Sequence, residues 1–187
     1  QGQKILQELI TYAKSKNLLT ILDAKRGDIA STMSAYGSFA FDVMKADVLT
    51  IQPYFGSDTV KPLLPWFRKE RAVYLVWLTS NTTCLSSVQE KTFKGHACSL
   101  EHVLTHFMSF FRKEQLEQQC GLVAGITTWD KLSNSMQEKA LEHPLLMPGL
   151  GAQGGKLSQK LLKKLNYKNP HLLPISRSLT GLGLKNS

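Results

Sequence analysis

The sequence predicts an α/β fold in which parallel strands carry helices on their outer side. Apolar, strand-like runs alternate with segments of helical periodicity, and most strand starts lie about 25 to 28 residues apart. Polar residues follow the ends of these strands, where parallel α/β folds place their sites, at 23–28, 52–56, 79–81, 148–155 and 176–178. An open doubly wound sheet and a closed eight-unit barrel both satisfy these observations. A barrel uses about 31 residues per unit, so 187 residues hold six units, and the spacing alone slightly favours the open sheet.

Each element is predicted from its own apolar pattern. The segment 3–16 has helical spacing of apolar side chains, and further helical patterns cover about 30–44, 58–69, 97–117, 130–141 and 156–165. The predicted strands are the apolar runs 18–22, 46–51, 72–78, 121–126, 145–147 and 172–175. We expect the first of these runs to be a buried strand.

Length and composition indicate one globular domain. With 187 residues, 42% hydrophobic and 20% charged, the chain is long enough for a sizeable core and too apolar to be disordered as a whole. No apolar stretch approaches the roughly 20 residues that cross a bilayer, so we expect no membrane association. The first residues carry neither an initiator Met nor a signal-peptide pattern, and we expect the chain to be a fragment or a processed product.

The cysteines and the net charge bear on compartment and partners. Cys84, Cys98 and Cys120 are odd in number and match no zinc spacing, which favours free thiols in a reducing cytoplasm. The net charge of +9 suits an anionic substrate or a nucleic acid. The lysine-rich segment 156–168 lacks interleaved aromatic residues, so we expect a solvated helix face and no nucleic-acid partner. His102 and His106 lack further ligands nearby, and we expect no metal site.

A charged segment follows the first apolar run. Asp23, Lys25 and Asp28 lie within it, and Gly27 lets the chain turn. Residues two apart in a strand share a face, so we expect Asp23 and Lys25 to lie side by side, mostly shielded from water. Such groups are costly to desolvate unless paired, which points to a functional role. A surface ion pair at a strand exit is the alternative explanation.

The segment 148–155 has the composition of an anion-binding loop. Its four glycines permit close approach of backbone N–H groups to an anion, and a helix predicted to begin near Lys156 adds the positive end of its dipole. Arg177 follows the next strand and can offer a bidentate contact to phosphate oxygens. A phosphate site is therefore expected here, with a flexible connector beside a surface arginine as the alternative.

Five motifs in series resemble those of orotidine 5'-phosphate decarboxylases. They are Asp23-x-Lys25-x-x-Asp28-Ile29, Pro53-Tyr54-x-Gly56-x-Asp58, Thr79-Ser80-Asn81, Pro148-Gly149-x-Gly151-x-Gln153-Gly154-Gly155 and Ser176-Arg177. The spelling Asp-Ala-Lys-Arg-Gly-Asp-Ile is similar to the branch found in many bacteria and in malaria-type parasites. The resemblance implies a TIM (β/α)8 barrel. The chain 1–187 would be a single incomplete barrel domain with about strands 3–8 and without the two N-terminal units.

The resemblance also implies a reaction and the residues that perform it. The family converts orotidine 5'-phosphate to uridine 5'-phosphate in de novo pyrimidine biosynthesis, without cofactor or metal. Lys25 is implied as the proton donor, and Asp23 lies beside the substrate carboxylate. Asp28 reaches the partner subunit's site, with Ile29 and Thr32 beside it, which implies a homodimer with shared active sites.

The remaining residues implied by the resemblance bind the nucleotide. Thr79 and Ser80 contact the pyrimidine edge, and Pro148 borders the base. The 5'-phosphate is held by Gln153, Gly154 and Arg177, and the glycine-rich loop is the natural lid.

Two other functions are also compatible with the sequence. One is a magnesium-dependent sugar-phosphate decarboxylase of the same superfamily, which also uses an Asp-x-Lys-x-x-Asp array. The other is a non-catalytic, truncated fragment that binds anions or a partner through its basic surface, since the family's residues on strands one and two have no counterpart here.

Overall fold

Parallel strands form the centre of both units into which the chain divides. The computed structural model describes residues 1–81, 83, 89, 92–93, 96–151, 153–165 and 169–176. The first unit comprises Gln1–Val76 and His106–Cys120, and the second comprises Trp77–Thr105 and Gly121–Ser187. That the whole chain is a single domain stays a prediction.

Three parallel strands and their helices make up most of the first unit. In chain order the elements are α1 (Gly2–Ser15), β1 (Ile21–Arg26), α2 (Ala30–Gly37), a π-helical continuation (Ser38–Val43), β2 (Val48–Ile51), two 3-10 turns (Ser57–Thr59 and Lys61–Leu63), α3 (Leu64–Phe67) and β3 (Ala72–Leu78). β2 pairs with β1 on one side and with β3 on the other, both in parallel.

The elements after β3 follow in chain order. They are β4 (Thr92–Phe93), β5 (His96–Cys98), α4 (Ser99–Lys113), a 3-10 turn (Glu117–Gln119), β6 (Cys120–Ala124), α5 (Ile126–Trp129), α6 (Asn134–Leu141), β7 (Leu145–Leu146), α7 (Gln159–Lys164) and β8 (His171–Leu172). Of this stretch, His106–Cys120 belong to the first unit and the rest to the second. β7 pairs in parallel with β6 and with β8, while β4 and β5 form a small antiparallel pair.

The alternation of strands and helices predicted from the sequence is confirmed, but the first strand is placed wrongly. The run 18–22 was expected to be a buried strand, whereas β1 begins at Ile21 and extends to Arg26. Leu18 and Leu19 are 59% and 84% exposed, so their apolar character does not mark a core strand. Asp23 and Lys25 consequently lie inside the strand and not beyond its end.

Four helix predictions also need correction, and the helix predicted over 130–141 begins only at Asn134. The segment 58–69 is not one helix, because Pro62 and Pro65 lack the N–H that a helix interior needs, and it forms two 3-10 turns and a short α3. The helix predicted from 97 begins at Ser99, after β5. The helix expected near Lys156 begins at Gln159, where the hydroxyl of Ser158 accepts a hydrogen bond from Leu161 N–H as an N-cap.

Each unit has its own buried apolar side chains. In the first unit, Leu49 and Ile51 of β2 are buried, and the rings of Phe67 and Phe111 pack 5.8 Å apart. In the second unit, Trp77 is buried with its indole N–H donating to the carbonyl of Leu100 at 2.8 Å. Of the helices in the described segments, none is long and apolar enough to span a bilayer.

Candidate functional site

The end of β1 carries a bulge that sets the position of the charged residues. The pairing of β1 with β2 joins Leu22 to Leu49 and Arg26 to Ile51, so three residues of β1 stand opposite one residue of β2. Lys25, within this bulge, has a φ of 47°, in the left-handed region. A side chain there costs about 1–2 kcal/mol. Local strain of this kind occurs preferentially at functional sites.

Other described non-glycine residues with positive φ have a different explanation. Asn17, Lys45, Glu70 and Gln115 each follow a helix, where a left-handed residue commonly ends the last turn. Lys25 lies in a strand instead. Its backbone conformation is therefore not a helix cap, and the geometry of the bulge has to account for it.

Asp23, Lys25 and Thr50 form one hydrogen-bonded group. The Lys25 ammonium lies 2.7 Å from both carboxylate oxygens of Asp23. The hydroxyl of Thr50 accepts a 2.8 Å hydrogen bond from Lys25 N–H and donates a 2.9 Å bond to Asp23 Oδ1. The predicted proximity of Asp23 and Lys25 is confirmed, and a buried residue of the neighbouring strand holds both.

The Asp23–Lys25 ion pair is more exposed to solvent than we expected from the sequence. The side chains of Lys25 and Asp23 are 48% and 56% exposed, so the expectation of a mostly dry pair is wrong for this chain alone. An ion pair this exposed stabilises a fold by about 0–1 kcal/mol. That gain does not exceed the strain at Lys25, so the arrangement is better explained by function than by stability.

Asp28, Ile29 and Thr32 lie at the start of α2. Asp28 Oδ1 accepts a 2.7 Å hydrogen bond from the N–H of Ile29, the residue that precedes the helix. The side chain of Ile29 is 59% exposed, and Thr32 is half-buried. A Cβ on Gly27 would lie 2.7 Å from Cβ of Gln52, so only glycine fits this turn without a shift. The group of residues that the sequence predicted for a partner contact is thus presented at one helix end.

Thr79 and Ser80, in the second unit, are held from two sides. The hydroxyls of Thr128 and Thr127 donate to the carbonyls of Thr79 and Ser80 at 2.6 and 2.9 Å. The carboxamide of Gln89, 8% exposed, donates to the carbonyl of Trp77 at 2.7 Å and accepts from Thr79 N–H at 3.5 Å. The exit of β3 is therefore rigidly positioned by its own surroundings.

The glycine-rich loop packs onto the beginning of α5. Ile126 N–H donates to the carbonyl of Pro148 at 2.9 Å, and Gly155 N–H donates to the carbonyl of Gly149 at 2.9 Å. Gln153 and Gly154 are exposed at the tip of the loop. Gly149 and Gly154 have φ of 116° and 81°, conformations that favour glycine, so the loop shape depends on this composition.

Metal-ligand clusters and the buried cysteine add nothing further to a site among the described residues, and one predicted residue is not described. Arg177 lies outside the described residues. Within the described ranges no cluster of three or more His, Cys, Asp or Glu side chains could hold a metal ion. Cys120 is fully buried, and burial raises the pKa of its thiol well above the ordinary value, so a reactive thiolate there is excluded.

A family assignment follows from comparison of the sequence with known proteins. The sequence profile of the "Orotidine 5'-phosphate decarboxylase / HUMPS family" matches residues 1–182. The chain belongs to this family.

Individual members of the family are similar over most of this chain. The orotidine 5'-phosphate decarboxylase of Bordetella pertussis is 38% identical over 146 residues, which cover 78% of this chain and 51% of that protein. The decarboxylase of Dehalococcoides mccartyi is 33% identical over 158 residues, or 84% of this chain and 56% of that protein. The chain thus spans about half the length of these curated relatives.

A solved structure extends the likeness to the fold. The OMP decarboxylase of Leishmania donovani has a TM-score of 0.78 and 28% identity, covering 96% of this chain and 67% of its own. The structural neighbours of this decarboxylase family are TIM barrels, so the fold is of the barrel class and not the open sheet that the spacing slightly favoured; the described residues include six of its parallel strands.

Sequence reasoning missed the residues that position the site. Thr50, Gln89, Thr127 and Thr128 carry no charge and fall in no motif, and their roles depend on which strand lies beside which. The sequence contained one usable hint. A polar residue within a buried strand, such as Thr50 in the run 46–51, needs a hydrogen-bond partner.

Proposed function

We propose that this chain belongs to an enzyme that converts orotidine 5'-phosphate to uridine 5'-phosphate. The observation that carries the proposal is the Asp23–Lys25 ion pair. Both carboxylate oxygens lie 2.7 Å from the ammonium, and the Thr50 hydroxyl is hydrogen-bonded to Lys25 N–H and to Asp23 Oδ1. Membership of the family supports the substrate, and the strained backbone at Lys25 supports a functional role for the pair.

In the proposed reaction the bond between pyrimidine C6 and the carboxylate breaks, and its electron pair stays on C6. The ammonium of Lys25 stabilises this negative charge and then donates a proton to C6, while carbon dioxide leaves. Asp23 lies beside the substrate carboxylate and disfavours the bound ground state, a strain that ends when carbon dioxide departs. A nucleotide over the pair excludes the water that now reaches it, which strengthens these interactions.

The nucleotide-binding roles follow the same family pattern. Thr79 and Ser80 contact the pyrimidine edge, and Pro148 borders the base. Gln153 and Gly154, together with Arg177, hold the 5'-phosphate. The exposed tip of the loop supports this assignment, because an incoming phosphate can reach the side chain of Gln153 without displacing packed side chains.

We infer further that the enzyme is a homodimer in the cytoplasm. Asp28, with Ile29 and Thr32, serves the partner subunit's site, and the 59% exposure of Ile29 supports a contact at this helix end. The six strands correspond to strands 3–8 of the family barrel, and the chain belongs to the branch with the Asp-Ala-Lys-Arg-Gly-Asp-Ile spelling. Light scattering on the full-length protein checks the dimer, and a monomer at micromolar concentration contradicts it.

The reaction is tested with carboxyl-labelled orotidine 5'-phosphate and the full-length protein that contains this chain. Lys25→Ala is expected to lower the release of labelled carbon dioxide at least about a hundredfold, the scale of lost proton donation, while uridine 5'-phosphate still binds. Lys69→Ala is the matched control, since this exposed lysine lies just after α3. Turnover retained by Lys25→Ala would rule out the proposed role, and loss of turnover on chelation would point to a magnesium-dependent relative instead.

A further inference from the structure

The first residues of α5 contact two segments that the proposed function uses for different parts of the nucleotide. On one side they hold the exit of β3, and on the other they pack against the glycine-rich loop. We propose that Thr127 is a positioning residue for both segments: its hydroxyl aligns Ser80 with the base, and its methyl group supports the loop that holds phosphate. This inference rests on the proposed function.

The hydroxyl of Thr127 contacts the segment assigned to the pyrimidine base. It donates a 2.9 Å hydrogen bond to the carbonyl of Ser80, the residue assigned to the pyrimidine edge. The strand itself is already tied down without this bond, because Gly125 N–H donates to the carbonyl of Leu78 at 2.7 Å and Thr128 bonds Thr79. The contribution of Thr127 is therefore local to Ser80 and not a requirement for β3 to form.

The methyl group of Thr127 packs against the glycine-rich loop assigned to the phosphate. A Cβ built on Gly149 would lie 3.4 Å from Cγ2 of Thr127 and 3.1 Å from Cγ2 of Ile126, so these side chains pack against the loop backbone. Gly149 is buried and has a φ of 116°, a conformation that favours glycine, and the absence of a side chain lets Ile126 and Thr127 approach its backbone. The Thr127 side chain thus contacts Ser80 through its hydroxyl oxygen and the glycine-rich loop through its methyl carbon.

Two substitutions separate these contacts. Thr127→Val keeps a methyl group against Gly149 and removes the hydrogen bond to Ser80. Thr127→Ser keeps the hydroxyl and removes the methyl group. Thr11→Val is the control, since it also removes a threonine hydroxyl from a helix, where Thr11 is exposed and donates to Gln7.

The experiment measures binding of uridine 5'-phosphate and of ribose 5-phosphate to the full-length protein by calorimetry. Thr127→Val is expected to weaken uridine 5'-phosphate about three- to tenfold, the scale of one hydrogen bond, and to leave ribose 5-phosphate unchanged. Thr127→Ser is expected to weaken both ligands, because the loop loses its packing. Urea unfolding of each variant verifies that the fold is kept.

The outcomes distinguish this inference from the proposed function. If Thr127→Val weakens both ligands equally, or neither, while the unsubstituted protein binds both, the assigned role of the Thr127 hydroxyl is refuted and the proposed function stands. If the unsubstituted protein binds neither ligand, the proposed function fails first and the inference fails with it.

Discussion

The buried hydroxyl of Thr50 bonds the Asp23 carboxylate at 2.9 Å, across two neighbouring parallel strands. The same oxygen accepts the N–H of Lys25, so one uncharged side chain fixes both the carboxylate and the left-handed backbone of the residue that pairs with it. Thr50 has no solvent exposure, so neither bond can be replaced by bulk water without a rearrangement of the strand.

Replacement of Thr50 by valine tests this relationship. Thr50→Val preserves shape but leaves the Lys25 N–H and one lone pair of Asp23 without this partner, and we expect a loss of about 1–3 kcal/mol in the free energy of unfolding. Decarboxylation should fall as well, because the pair loses its fixed position. Urea unfolding and the carbon dioxide assay measure the two effects. Thr50→Ser retains the hydroxyl and should recover most of both; an unchanged Thr50→Val protein would contradict the argument.

Gly125 offers a test of the close packing at the exit of β3. A Cβ there would lie 2.5 Å from Ser80 N and 2.7 Å from Ser80 Cα, both backbone atoms that cannot rotate away. Its φ of −60° is acceptable to alanine, so the expected loss of about 1–3 kcal/mol in Gly125→Ala comes from the clash alone. Thermal and urea unfolding check it. Gly2→Ala, with nothing within 4 Å, should not lower stability.

Asp47 stabilises the opposite, N-terminal end of the first unit's strands. Its carboxylate accepts hydrogen bonds from Lys14 at 2.7 Å, from the N–H and hydroxyl of Thr20 at 3.0 and 2.8 Å, and from Arg71 at 3.3 Å. Burial acts to raise the pKa of the Asp47 carboxyl, but the bonds from Lys14 and Thr20 outweigh it, and the pKa lies below its ordinary value. The charged form is therefore favoured by folding.

Asp47→Asn should lower the free energy of unfolding by about 1–3 kcal/mol at pH 7. Because the folded pKa is lowered, this contribution is fully present above the unfolded pKa of about 3.9 and is lost as pH falls through the folded value. The difference between the two proteins should thus be constant from pH 6 to 8 and shrink below about pH 4. Urea unfolding across that range measures it, with the exposed Asp130→Asn as the control. A difference that persists undiminished at pH 3 would count against the assignment.

His171 makes the stability of the second unit depend on pH in a range closer to neutral than the range for Asp47. Neither ring nitrogen has a hydrogen-bond partner among the described residues, and burial lowers the pKa of the imidazole below 6.5. The fold favours the neutral ring, so as pH falls below about 6.5 the unfolded chain takes up the proton first and stability declines.

The variant His171→Leu removes this titration. Its free energy of unfolding should fall less than that of the unsubstituted protein between pH 7.5 and 5.5, as measured by urea unfolding at each pH. Parallel pH profiles of His171→Leu and the unsubstituted protein would contradict the assignment of the titration to this ring.

Local pattern was sufficient to predict much of the molecule. The apolar run of β3 was predicted with its observed bounds, because a continuous buried strand leaves a continuous apolar stretch in the sequence. The proximity of Asp23 and Lys25 was also predictable, since the two residues are close along the chain. The identity of the family came from short motifs whose spacing is a property of the sequence alone.

Other features depend on which segments the fold brings together. The exposure of Leu18 and Leu19 could not be inferred from their apolar character, because burial depends on what packs against a segment. Thr50, Gln89 and Thr127 lie 10 to 47 residues from some of the groups they hold, and only strand pairing and loop packing bring them within hydrogen-bonding distance. The chemical groups are thus encoded locally, while their positions and their exposure to water arise from contacts between distant segments.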